Sequence, residues 1–476
     1  MIAAGYIFQY LCVQHWLERP GGNLATAVLS VLSLVSIAGG IFGDVAAISS
    51  NLRHFPKQRG AVAGLLKALL GLSAGLLTAL SLAIWGDHIS LNILLVIGVF
   101  AGVLFCVCAV FIVEPTHQTG ELSGAPGGSL SADFKRISWP AAILVADAIF
   151  LAVSSWVSKD WSFDRPQRIG IVAFAVIAWT AVAAAALLLL FPECGRAKPV
   201  IAEQLQESRA GYDSAVQPLL ADADMLPSPG AASPAGLLAA AQHVKHMKLS
   251  EAVRTLDLWL LTIALSTGIG CGFLVTNNLG QMARAITSQA SAEKILVTLF
   301  SVSNSLGRLS FAYISDLAAH IVLREVFLCS GLALMALTFL TLATGSFAAL
   351  TIGSVLAGLT FGSFWSLMPT IASDLFGRKY VAAIYGLLGS FPAVLGFALS
   401  GFMAPAIYQQ HAETGHTDCT GKLCYEQTYF ICAGLCSLGC LCAVWLWLRV
   451  RRQLAPNWHA REATQPEHGK PMQVNS

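Results

Sequence analysis

The sequence predicts an all-α polytopic membrane protein, and three observations carry that prediction. Of its 476 residues, 56% are hydrophobic and 11% charged, against about 25% charged in ordinary soluble domains. The apolar residues fall in long continuous runs, not in the alternating pattern of barrel strands. Most Lys and Arg stand between the runs on one side of an up-and-down path. Together these exclude a large soluble enzyme, a nucleic-acid binder and a disordered chain. The net charge of +2 says nothing about partners.

A helix needs about 20 mainly apolar residues to cross the hydrocarbon layer. Runs of this kind cover 24–48, 60–85, 91–113, 139–157, 169–191, 257–276, 294–315, 323–343, 346–373, 380–408 and 427–448. A further run, 1–16, opens the chain. At about 1.5 Å per residue it falls short of a core roughly 30 Å thick. It also lacks the basic start and small-residue cleavage site of a signal peptide. It reads as a clipped span.

If residue 1 starts on the cytoplasmic side, the segments on that side hold Arg53, Lys57, Arg59, Lys135, Arg136, Arg324, Arg378, Lys379 and the basic residues of 192–255 and of the tail. Both termini are therefore expected in the cytoplasm. Trp445 and Trp447 before Arg449, Arg451 and Arg452 read as an aromatic belt followed by a basic anchor. The expected organisation is an N-terminal bundle over 1–113, a Gly/Ser-rich cytoplasmic loop over 114–138 and two inserted helices over 139–191. A flexible linker over 192–255, a six-helix bundle over 256–448 and a cytoplasmic tail over 449–476 complete it.

Two cytoplasmic turns resemble each other. Ala47-Ile-Ser-Ser-Asn-Leu-Arg-His-Phe-Pro-Lys-Gln-Arg-Gly-Ala-Val-Ala-Gly64-Leu-Leu and Ile371-Ala-Ser-Asp-Leu-Phe-Gly-Arg-Lys-Tyr-Val-Ala-Ala-Ile-Tyr-Gly386-Leu-Leu are each a span, a basic turn and a span opening on small residues. Matching bundles of this kind are the mark of parallel-repeat transporters. In that register 24–48 and 60–85 are the fourth and fifth spans of the first bundle, and its first two spans are missing.

The run Phe55-Pro-Lys-Gln-Arg-Gly-Ala-Val-Ala-Gly-Leu-Leu-Lys67-Ala-Leu-Leu-Gly-Leu-Ser73 resembles the nodulin-like branch of the major facilitator superfamily. So do Leu249-Ser-Glu-Ala-Val-Arg-Thr-Leu-Asp257, Asn277-Asn-Leu-Gly-Gln281, Asn304-Ser-Leu-Gly-Arg308 and Ser315-Asp316, in order. The resemblance implies a two-bundle transporter fold with extra helices between the bundles, which suits 139–191. It departs from the superfamily's charged turn at Ala312-Tyr-Ile-Ser-Asp316, which has Ala312 for Gly and Leu317 for the basic residue.

Charges inside a bilayer are costly, so they are functional candidates. Asp44 and Lys67 lie two to three turns below the cytoplasmic surface on adjacent spans. They read either as an ion pair that gates or as a snorkelling lysine and a locally bonded aspartate. Asp147, near mid-depth in 139–157, carries a coupling proton or tethers helices; the tether is preferred. Thr276, Asn277, Asn278 and Gln281 bond a polar solute, or cap a helix that turns at Gly280. Asn304 is the better solute contact. Arg308 attracts an organic anion or, as preferred, clamps Asp316 or Asp374. Cys419 and Cys424 form a disulfide or stay free. Gly60/Gly64, Gly71/Gly75, Gly98/Gly102 and Gly358/Gly362 permit close helix approach, and Pro369, Pro392 and Pro405 permit kinks.

No metal spacing, cleft carboxylate pair or Ser/His/Asp arrangement is present, so neither an enzyme nor a bound metal or cofactor is expected. The leading expectation is a secondary transporter of a small solute working by alternating access between the bundles. An organic anion is suggested by Lys67 and Arg308. The alternative is a transport-inactive receptor or scaffold, or a fragment of a longer transporter. The expected partners are that solute and the lipid bilayer.

Overall fold

The computed structural model describes residues 2–16, 23–54, 58–85, 92–111, 138–151 and 153, parts of 166–178, and 246–287, 290–319, 321–412 and 419–462. Nearly all of the expected loop 114–138, most of 169–191, the linker as far as 245 and the end of the tail lie outside the described residues.

Every described regular element is helical. The first are α1 (Ile2–Trp16), α2 (Asn23–His54), α3 (Arg59–Trp85) and α4 (Asn92–Phe111). The shorter α5 (Ser138–Leu151) and α6 (Ile169–Ala178) follow. After a single turn at Leu249–Ala252 come α7 (Leu256–Ile286), α8 (Ala290–Leu317), α9 (Arg324–Leu342) and α10 (Phe347–Phe376). The next helix, α11 (Val381–Phe397), continues through a π-helical stretch, Ala398–Met403, into Ala404–Gln410, and α12 is Leu423–Glu462. Among the described residues, 7 helices are long and apolar enough to cross a membrane: one in α2, and α7 to α12.

Local chemistry explains where several helices start. Thr255 Oγ1 accepts from the Leu258 amide at the head of α7, and Ser346 Oγ accepts from the Ala349 amide at the head of α10. Both satisfy an amide that the first turn leaves open. One boundary differs from expectation: α7 does not stop at 276 but runs to Ile286. Thr276 and Asn278, residue types that favour helix ends, donate instead to the carbonyls of Gly272 and Leu274, one turn back. In an apolar setting this backward bond satisfies the side chain without ending the helix.

The main core gathers α7, α9, α10, α11 and α12 around Leu265, Leu332, Phe339, Phe364 and Cys436, all fully buried. Large apolar side chains such as Phe42, Val103, Val394, Phe397 and Leu441 point outward and are exposed, as a lipid-facing surface demands. Near the N-terminus, α1 packs on α2 and α4, and Gln9 Nε2 donates to Ser33 Oγ across the α1–α2 contact at 3.0 Å. A second cluster joins Ala61, Leu65, Ala68 and Leu72 of α3 with Leu144, Ala148 and Leu151 of α5 and with Val302 and Leu309 of α8.

Helix α8 is squeezed between α3 and α10, and glycines make the squeeze possible. A Cβ on Gly64 would meet the Ala312 Cβ at 2.5 Å and the Arg308 carbonyl at 2.8 Å, and one on Gly362 would meet the Asn304 carbonyl at 2.1 Å. Backbones can touch there only because no side chain intervenes. Gly362→Ala is therefore expected to push α8 from α10 at a cost of about 1–3 kcal/mol. The unfolding midpoint of detergent-solubilised protein would fall accordingly; an unchanged midpoint would mean the helices can separate freely.

Candidate functional site

Six side chains from five helices meet at the contact between α2 and α3 on one side and α8, α10 and α11 on the other. Lys67 of α3 is 2% exposed. Its Nζ lies 2.5 Å from Oδ2 of Asp44 on α2, and the Tyr385 hydroxyl of α11 donates to that same oxygen at 2.8 Å. The ammonium also sits over two rings, 5.1 Å from the Trp365 centroid and 5.2 Å from that of Tyr385, where the ring quadrupole attracts a cation. Lys67 thus turns inward instead of snorkelling to the interface.

Arg308 of α8, 5% exposed, completes the cluster. Its Nε donates to Asn304 Oδ1 and its NH1 to the Lys67 carbonyl, both at 3.0 Å. The expected clamp onto Asp316 or Asp374 is not made. Asp316 stands eight residues further along the same helix, about 12 Å by the helical rise, so the side chains do not meet. The cluster holds two buried cations and one carboxylate, Asp44, whose side chain keeps 26% exposure.

The clamp at Asp316 and Asp374 exists, but other arginines make it. Arg324, at the head of α9, bonds both carboxylates, with its NH2 2.5 Å from Asp316 Oδ1 and its NH1 on Asp374 Oδ2. Arg59, opening α3, reaches Asp374 Oδ1 at 2.8 Å and Ser373 Oγ at 3.2 Å. Asp316 also accepts from the amides of Gly60 and Ala61, at 3.0 and 2.7 Å, and so caps the positive end of α3. The two turns matched in sequence thus meet here through Arg59 and Asp374. Leu317 stands where a basic residue was expected, and Arg324 supplies that charge from further along the chain.

The other candidates do not converge on this cluster. Asn277 Nδ2 donates to Ser400 Oγ at 3.0 Å, and Gln281 Oε1 accepts from the Tyr425 hydroxyl at 2.8 Å. Thr276 and Asn278 bond their own helix, so no turn opens at Gly280. Asp147 on α5 is 2% exposed, and neither carboxylate oxygen has a hydrogen-bond partner among the described residues; it tethers nothing there. Cys419 and Cys424 are joined in a disulfide, with the Cys419 amide donating to the Tyr408 hydroxyl at 2.9 Å. No group of three or more His, Cys, Asp or Glu among the described residues is placed to hold a metal. Sequence reasoning missed Tyr385, Trp365, Arg59 and Arg324 as site residues. Arg324 carries a signal, since it faces Asp316 across a short turn, whereas Arg59 finds Asp374 only through the packing of the two halves.

Known proteins resemble this chain along most of its length. The family profile described as Nodulin-like matches residues 1–192, and that of the NFD4 C-terminal domain matches 242–455. The two leave between them only part of the expected linker. Protein NUCLEAR FUSION DEFECTIVE 4 of Arabidopsis thaliana is 24% identical over 96% of this chain and 77% of its own length. A probable transporter, mch1 of Emericella nidulans, is 33% identical over 20% of this chain and 14% of its own. Among solved structures, the E. coli fucose:proton symporter FucP shares 14% identity at a TM-score of 0.34, covering 94% of this chain and 95% of that one. On the strength of the two profiles, which between them account for most of the sequence, the chain belongs with the proteins that join a Nodulin-like segment to an NFD4 C-terminal domain.

Proposed function

We propose that the protein is a secondary transporter that carries a small organic anion by alternating access, with residues 1–113 and 256–448 as the two moving halves. The observation that carries this reading is the charge of the intramembrane cluster. Lys67 and Arg308 are both buried, Asp44 alone among the described residues opposes them, and an uncompensated buried cation is unfavourable unless a counter-charge arrives. A solute carboxylate fits that need, because a guanidinium and an ammonium both donate to carboxylate oxygens. Trp365, whose Nε1 is buried without a partner among the described residues, offers one more donor and a flat apolar wall. The Arg59–Asp374–Arg324–Asp316 network supports a gate: it links α3 to the second half at one face, and it has to break when that face opens. The positive-inside pattern supports the cytoplasmic side as this face.

Uptake into proteoliposomes tests the reading with labelled mono- and dicarboxylates against neutral sugars. Saturable uptake of a carboxylate is expected, falling about tenfold or more in Arg308→Gln, since loss of one buried charged hydrogen bond is worth roughly 1.5–3 kcal/mol. Uptake of neutral sugars alone would defeat the anion assignment. Binding of a carboxylate without any uptake would defeat transport and leave a receptor.

A further inference from the structure

Asp147 has no part in the cluster or the gate, yet its placement is costly. It is buried, it is unpartnered among the described residues, and it stands on α5, the helix that packs over the line where α3 meets α8. Leu144, Ala148 and Leu151 of α5 enter one apolar cluster with both helices, and Asp147 lies on the edge of that stripe, within one turn of all three. On the flank beyond it, Phe150 meets Phe174 of α6 at 4.7 Å between ring centroids.

The charged and titratable groups around it are few. From α3 the cluster receives Ala61, Val62, Leu65, Ala68 and Leu72, none of which ionises. From α8 it receives Val302, Leu306, Leu309 and Tyr313, of which only the Tyr313 phenol can titrate. The described residues of α6 bring none. Lys67 and Arg308 bond within the other cluster. No cation among the described residues is therefore placed to hold an ionised Asp147, and a bare carboxylate among these apolar neighbours is far more costly than the neutral acid.

We infer that Asp147 is a proton-binding site, neutral while α3 and α8 are sealed together and ionised once they part. The inserted helix spans the α3–α8 line, so separating these helices strips its cover from Asp147 and admits water. The carboxyl then releases its proton to that water, and it must recover one from water before the line can reseal. Protonation thus favours the sealed arrangement, and transport is coupled to pH through a helix outside the solute cluster. The inference rests on the parting of the two halves proposed above, but its test needs no solute.

The full-length protein in nanodiscs is treated with the apolar reagent dicyclohexylcarbodiimide, which attacks protonated carboxyls, between about pH 5 and about pH 9. Adducts are located by mass spectrometry, and hydrogen exchange of 60–72, corrected for its intrinsic pH dependence, is followed alongside. Asp147 is expected to be labelled at low pH, with labelling dropping ~tenfold per pH unit above its midpoint. Exchange of 60–72 should rise over the same interval. Asp147→Asn, which imitates the neutral acid, should exchange slowly at every pH. Absence of labelling at every pH, or the same exchange profile in both proteins, overturns the inference. Should Asp147→Asn fail to assemble, the wild-type protein decides alone: labelling and exchange that do not change together reject it. Failure here with intact carboxylate uptake would leave the transport reading standing, whereas loss of uptake with the titration intact would leave this one.

Discussion

Asp44→Asn is expected to lower stability by about 3–5 kcal/mol, because it removes the counter-charge from a buried ammonium while leaving the ammonium in place. Lys67 has no other carboxylate within reach among the described residues, and the two aromatic faces over its Nζ replace only part of the loss. The size of the effect depends on the pair, so the double variant Asp44→Asn/Lys67→Met should recover much of the loss. The unfolding midpoint in detergent reads both. A double variant no better than Asp44→Asn alone would show that Asp44 acts through Tyr385 instead, whose hydroxyl shares the same oxygen at 2.8 Å.

Asp316→Asn is expected to act on conformation as much as on stability. Its carboxylate is 3% exposed and holds Arg324 together with the Gly60 and Ala61 amides in the first turn of α3. The amide substitute loses the charge that matched Arg324 and keeps a single acceptor oxygen for the amides. If about 3 kcal/mol of the pairing is lost from the sealed state only, the equilibrium between sealed and open faces moves ~100-fold toward open. A cysteine placed at Ser373, a position 1% exposed, would report the change through its rate of maleimide modification. An equal rate with and without Asp316→Asn would mean that the network does not hold that face shut.

Much of this was legible in the sequence, and the physical reason differs from residue to residue. Asp44 and Lys67 stood out because charges are rare in apolar runs, and their depths, counted from one shared turn, placed them level with each other. The same counting failed for Arg308. Neither expected partner, Asp316 two turns along its own helix or Asp374, is the one it meets, because sequence distance shows neither which face a side chain occupies nor what another helix brings opposite. Arg324 was hidden by position, since an arginine at the end of a span looks like an interfacial anchor whether or not it bonds. Tyr385 and Trp365 were hidden by type: aromatic residues are ordinary in such helices, and only packing reveals which ring lies under an ammonium. The extension of α7 past Asn277 was hidden by chemistry, because polar residues that end helices in water satisfy themselves on the preceding turn in a bilayer.

The capping of α3 by Asp316 has a consequence for how the molecule reports its own state. A helix ordinarily draws its N-cap from its own chain a residue or two upstream, so its first turn is secure whatever happens elsewhere. Here the acceptors for Gly60 and Ala61 come from the far half of the sequence, more than 250 residues away. Were the halves to separate as proposed, those amides would lose their acceptors together and the opening turn of α3 would fray. Such a motion would thereby be converted into a local loss of order in the first turn of α3, whose Gly60 and Ala61 are otherwise buried.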